Sequence, residues 1–211
     1  MAKVATAAVK GVGRPKGSNR EASLAKILPA ARRLFAERGY SNTTFKDVGK
    51  AVGMTHAALY SYFPSKAALY LATTGDAQAI LQPKYLKAIQ NGANFKQRLR
   101  EILRVAAQAH EQDSSISGLL MAIPLEISRH PELAELMLGR QNSTLDLLAD
   151  VFAQAQARGE IKSKAQPEEL VVAIIGSWVG ITMFHFGLQR TDLGKTLEVF
   201  IEMIEGSLFH E

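Results

Sequence analysis

Residues Ile27 to Leu69 read ILPAARRLFAERGYSNTTFKDVGKAVGMTHAALYSYFPSKAAL, and the punctuation of this stretch decides the fold. Leu24, Ile27, Leu28, Ala31, Leu34 and Phe35 recur at the three- and four-residue spacing of one helix face. Gly39 offers a left-handed cap where that helix ends. Pro29 lies inside it and removes a backbone donor, which predicts a kinked first turn or a late start. Thr44 then stands as an N-cap with Asp47 three residues on, the acid of a capping box. Gly53 closes this short helix, MTHAALYSYF forms another, and Pro64 stops it. Two short helices parted by a glycine-containing turn make a helix-turn-helix pattern.

The rest of the chain is read as helical. SKAALYLATTGDAQAILQ starts a helix capped by Ser65, with Gly75 expected to interrupt it. NFKQRLREILRVAAQAH is amphipathic through Phe95, Leu99, Ile102, Leu103 and Ala106. A single long helix is expected from Pro131 to Gly159, with proline in its first turn and glycine at its end. Further helices begin at Pro167 and Asp192. No strand alternation runs over a useful length, and no internal repeat is present. The expectation is an all-α protein with a flexible basic arm at 1–20 and a three-helix domain with the helix-turn-helix at 21–66. Residues 67–211 would form a second helical domain.

Charge separates the same two parts. Residues 1–66 hold twelve Lys/Arg against three Asp/Glu, whereas the remainder holds thirteen against seventeen. A basic module joined to an acidic body points to a polyanion partner, nucleic acid above all. The chain of 211 residues has no cysteine, which excludes a disulfide framework and zinc–thiolate sites and suits a reducing cytoplasm. Its first residues lack the apolar core of a signal peptide, so secretion is not expected. The five histidines (56, 110, 130, 185, 210) show no i, i+4 pairing, and no Walker or G-x-S-x-G sequence occurs. No metal, cofactor or enzymatic activity is expected.

The order Ile-Leu, Ala-Ala, Leu-Phe, Gly-Tyr, Thr-Thr, Asp with an apolar neighbour, Gly, Leu-Tyr, Tyr-Phe, Ser-Lys and Leu resembles the DNA-binding domain of the tetracycline-repressor (TetR) family. The resemblance covers about a fifth of the chain at motif level. It implies a homodimeric regulator, most often a repressor, that binds double-stranded DNA at a palindromic operator and answers to a small-molecule effector. It also implies phosphate contacts for Thr44, Tyr60, Tyr62 and Lys66, and a groove-facing position for Lys46. Gly49, where the family commonly has alanine, should loosen its helix by roughly 1 kcal/mol. Ala57 and Pro29 are further departures. Beside the resemblance, the residues themselves suit a recognition helix: Thr55 and His56 can donate or accept at base edges, and Ala57 and Ala58 can touch thymine methyls.

The arm contains GVGRPKGSNRE, Gly11 to Glu21. As a dinucleotide loop it fails, because the third glycine of G-x-G-x-x-G is replaced by Lys16 and no strand precedes it. GRPKG resembles the core of an AT-hook, which makes Arg14 and Lys16 candidates for the minor groove. The alternative is an architectural protein whose arm binds DNA without sequence preference.

Val171 to Gln189 carries no charged residue, long enough in principle to span a bilayer. Serine, threonine, histidine and three glycines dilute it, and no membrane role is expected. A helix apolar all round must be buried all round, which calls for a partner subunit. Gly176 and Gly180 on this helix, with Leu197, Phe200, Ile201, Ile204 and Leu208 on the last one, are the expected dimer face. Leu103, His110, Met121, Trp178, Met183 and Phe184 are the expected walls of a cavity for an apolar or aromatic compound.

Overall fold

The structure is a computed structural model that describes residues 16–138, 143–188 and 191–206. These form ten helices: α1 (Lys16–Arg38), α2 (Phe45–Val52), α3 (His56–Tyr60), α4 (Lys66–Asn91), α5 (Phe95–Gln112), α6 (Ser114–Arg129), α7 (Pro131–Leu138), α8 (Ser143–Ala157), α9 (Pro167–Leu188) and α10 (Leu193–Glu205). No strand occurs among the described residues, as the all-α reading requires.

Local chemistry sets the element ends. Thr44 accepts from Asp47 N–H while Asp47 accepts from Thr44 N–H, a complete capping box that starts α2. Gly53 ends α2 at φ 68°, a left-handed conformation that favours glycine. Asn94 and Asp192 cap α5 and α10 in the same way that Ser65 caps α4.

Three expectations of segmentation change. α1 runs through Pro29 and already begins at Lys16, inside the stretch read as arm. α4 passes through Gly75 without a break: Thr73, Thr74, Ala77 and Leu81 are buried around it, and that packing outweighs the roughly 1 kcal/mol glycine penalty. Between Pro131 and Gly159 the described residues form two helices, α7 against α4 and α6, and α8 against α9, α4 and α5.

Two cores organise the chain. The first gathers Ile27, Phe35 and Tyr40 with Val48, Leu59, Leu69 and Tyr70, and it also takes Ile116, Leu119 and Leu133 from α6 and α7. The second gathers Leu99, Ile102 and Leu103 with Leu148, Phe152, Trp178, Leu197, Phe200 and Ile201. Each large side chain so buried contributes about 1.5–3 kcal/mol. The helix-turn-helix therefore shares its core with α6 and α7.

Polar contacts reinforce that junction. Buried Arg32 on α1 bonds Ser115 Oγ at 3.1 Å, Asp76 at 3.0 Å and Asp113 at 2.8 Å. Tyr40 N–H donates to Glu126 on α6 at 2.9 Å. Burial pushes the Asp113 carboxyl up, but the hydrogen bonds from Ser115 and Arg32 outweigh it and hold it below its ordinary value.

Candidate nucleic-acid interface and buried cavity

α2 and α3 are held by the burial of Val48 and Leu59, leaving the first turn of α3 at the surface. Thr55, His56 and Ala57 are exposed there, where a recognition helix needs them. Thr55 is the N-cap of α3: its Oγ1 accepts from Ala58 N–H at 3.2 Å, so its hydroxyl proton is left to donate. His56 and Tyr60 pack edge-on at 5.0 Å and share Phe45 as a floor, which fixes both rings. Tyr60 remains 51% exposed. Lys46 projects from α2 on the exposed side.

The expected phosphate ligands divide. The Tyr60 hydroxyl is free to reach a phosphate. Tyr62 is half-buried, with the Arg20 guanidinium 5.1 Å from its ring centre and Arg20 also donating to the Ser61 carbonyl at 3.4 Å. The Thr44 hydroxyl is committed to Asp47 within the capping box. Lys66 differs most from expectation: its ammonium donates to the Tyr40 carbonyl at 2.9 Å and the Ser41 carbonyl at 3.4 Å, over the Tyr40 ring. Burial lowers its pKa, which Glu132 and Glu126 partly oppose. Lys66 thus braces the α1–α2 corner. Arg14 lies outside the described residues, and Lys16 is the first residue of α1.

A cavity of about 230 Å³ opens among α4, α5, α6, α8 and α9. Leu103, Met121 and Trp178 line it as expected, and Leu81, Tyr85 and Leu148 join them. Met183 and Phe184 do not: they are 52% and 71% exposed on the far side of α9. His110 stands behind the wall, its Nδ1 2.5 Å from the oxygen of Ser117, which does line the cavity. Burial and then the neighbouring His185 lower the His110 pKa, keeping that ring neutral at pH 7.

A family model described as bacterial regulatory proteins, tetR family, matches residues 27–73, from the buried half of α1 through α3 into α4. Residues 27–73 are a TetR-type DNA-binding segment. The HTH-type transcriptional regulator UidR of Escherichia coli K12 is 27% identical over 136 residues, 64% of this chain and 67% of UidR. Two solved structures of transcriptional regulators superpose on this chain. The regulator FadR from Bacillus subtilis, solved in complex with stearoyl-CoA, has a TM-score of 0.71 at 18% identity, covering 88% of this chain and 99% of FadR. The TetR-family regulator PfmR from Thermus thermophilus has a TM-score of 0.67 at 20% identity, covering 88% of this chain and 100% of PfmR. At these identities the likeness is one of fold.

As in that fold, an N-terminal helix-turn-helix DNA-binding domain precedes a helical C-terminal body. The outward face of this body differs from the one read in the sequence. Leu197, Phe200 and Ile201 are buried within their own subunit, because α10 lays that stripe on α5. Ile204 sits at its edge, and Leu208 lies outside the described residues. Gly176 and Gly180 do face open space, with nothing within 4 Å of a Cβ placed on either. Val172, Met183, Phe184 and Leu188 on α9, with Val199 and Met203 on α10, are exposed apolar residues. Sequence reading missed Arg20, Arg32 and Glu126, whose partners lie 41 to 86 residues away. No local pattern announces such pairs.

Proposed function

We propose that this TetR-family chain is a cytoplasmic, homodimeric transcriptional repressor that leaves a palindromic operator when a small apolar or aromatic effector enters the cavity. The observation that carries this reading is α4, one helix from Lys66, beside the recognition segment, to Asn91, with Leu81 and Tyr85 on the cavity wall. The distance from Lys66 to Leu81 along the helix is about 22 Å, all of it ahead of Pro83. An effector that displaces α4 at Leu81 displaces its N-terminus beside α3. The corresponding coupling is typically about 1–3 kcal/mol, or about 5- to 150-fold in DNA affinity. FadR, solved with stearoyl-CoA, binds a ligand whose acyl chain is apolar though its CoA part is charged, and that chain is the feature the apolar wall here would match.

On DNA, Thr55, His56 and Ala57 read base edges, Tyr60 and Tyr62 contact phosphates, and Lys46 reaches the groove from α2, where its ammonium also meets the phosphates that border it. Thr44 contributes the backbone of a helix start, and Arg14 and Lys16 enter the flanking minor groove. Footprinting on the DNA flanking its own gene tests the reading. A discrete protected palindrome that is lost when cell extract containing the effector is added is the expected result. Arg14→Ala should weaken binding more on A·T-flanked than on G·C-flanked operators. Even protection of unrelated DNA would favour the architectural alternative and overturn the repressor.

A further inference from the structure

None of the described residues that line the α4–α5–α6–α8–α9 cavity is Lys, Arg, Asp, Glu or His. A carboxylate or ammonium taken into such a wall would lose its water and find no counter-charge, whereas a neutral polar group needs only one hydrogen bond. The wall offers that bond on α4. Gln78 and Tyr85 lie seven residues apart on α4 with Leu81 between them, so the three share one stripe of the helix. Neither Gln78 nor the Tyr85 hydroxyl has a side-chain hydrogen bond among the described residues. Ser117, by contrast, already donates to the Ser114 carbonyl at 3.1 Å and meets His110 at 2.5 Å. Thr144 adds a hydroxyl from α8. Burial pushes the Tyr85 phenol up to about 12, so it keeps its proton at neutral pH and can donate.

We propose that the effector is an uncharged, largely apolar molecule bearing one carbonyl-type acceptor, held by the Tyr85 hydroxyl and the Gln78 amide, and that free acids and cations are excluded. The proposal rests on the reading of this cavity as the effector site. It narrows an apolar ligand to one with a single neutral acceptor placed against α4. The grip falls on the helix that continues into the DNA-binding domain, so the polar group that confers specificity is also the one that pulls on α4.

Trp178 is the single tryptophan of the chain and lies on the cavity wall, so its emission reports occupancy directly. Full-length protein at pH 7.5 is titrated with 2-nonanone, nonane and nonanoate. The ketone should perturb Trp178 with a dissociation constant at least tenfold below that of nonanoate. Tyr85→Phe should weaken the ketone about three- to tenfold, the range of one neutral hydrogen bond, and leave nonane unchanged. Unchanged nonane binding also shows that the variant is folded, and Gln78→Leu provides a second variant with the same expectation. Nonanoate binding as tightly as the ketone, or a ketone indifferent to both substitutions, overturns the uncharged-acceptor proposal. No change in Trp178 emission with any of the three overturns the effector-site reading beneath it.

Discussion

A Cβ placed on Gly49 would lie 2.7 Å from the Met54 carbonyl oxygen, because the turn after α2 folds back and bonds Met54 N–H to the Gly49 carbonyl at 2.9 Å. The contact is with backbone, which cannot swing aside as a side chain would. Helix propensity alone favours alanine there by about 1 kcal/mol, but forcing a methyl into a packed site typically costs about 1–3 kcal/mol. Gly49→Ala should therefore lower stability by about 1 kcal/mol in urea denaturation. A higher midpoint would mean that the turn yields at little cost. The sequence showed the glycine but not the carbonyl opposite it. Lys66 makes the same point: its family position implied phosphate, while its ammonium is engaged by two carbonyls of the α1–α2 corner. Single residues were legible where chemistry acts within four positions, as at Thr44 and Asp47, and obscure where the partner is remote, as for Arg32 with Asp76 and Asp113.

At the scale of elements, the short helices were readable because capping residues and left-handed glycines mark their ends. The long ones were not, since a glycine in mid-helix costs little beside the burial of its neighbours, as at Gly75 in α4. The stripe Leu197, Phe200 and Ile201 was recognised as apolar, but periodicity cannot say whether its cover is α5 of the same chain or another subunit. The α2–α3 pair bears a prediction of its own. His56 is exposed at the start of α3 with its ring fixed by Phe45 and Tyr60, whereas Lys46 projects from α2 on the exposed side. His56→Ala should change which base is preferred at particular operator positions. Lys46→Ala should weaken binding to all sequences alike and reduce the salt slope by about one unit. Anisotropy titrations over a set of operator variants and salt concentrations read both. A changed base preference for Lys46→Ala alone would reverse the assigned roles of the two helices.

Over the whole molecule, α9 is the element one subunit cannot satisfy. By length and composition its Pro167–His185 window is apolar enough to cross a membrane, yet only 17% of that window is buried. Its inner side, through Val171 and Trp178, belongs to the second core, while Val172 (67% exposed), Phe184 and Leu188 point away from it. Val199 and Met203 on α10 extend the same kind of surface. So many exposed large apolar residues on two helices mark a candidate association site. The palindromic operator proposed above would require two-fold protein symmetry, which favours a second copy of the chain over a bilayer. Since Phe184 and Met203 lie outside both cores, the double substitution Phe184→Glu, Met203→Glu should leave each subunit folded by circular dichroism. It should still convert a particle of about twice the 23.0 kDa chain mass into a monomer at micromolar concentration, read by light scattering. Ile201→Glu is the informative contrast: buried on α10 beneath that surface, it should unfold the second core before it reports on association. A monomeric mass for the unmodified chain would leave the outer face of α9 without a subunit to cover it and would sink the dimer.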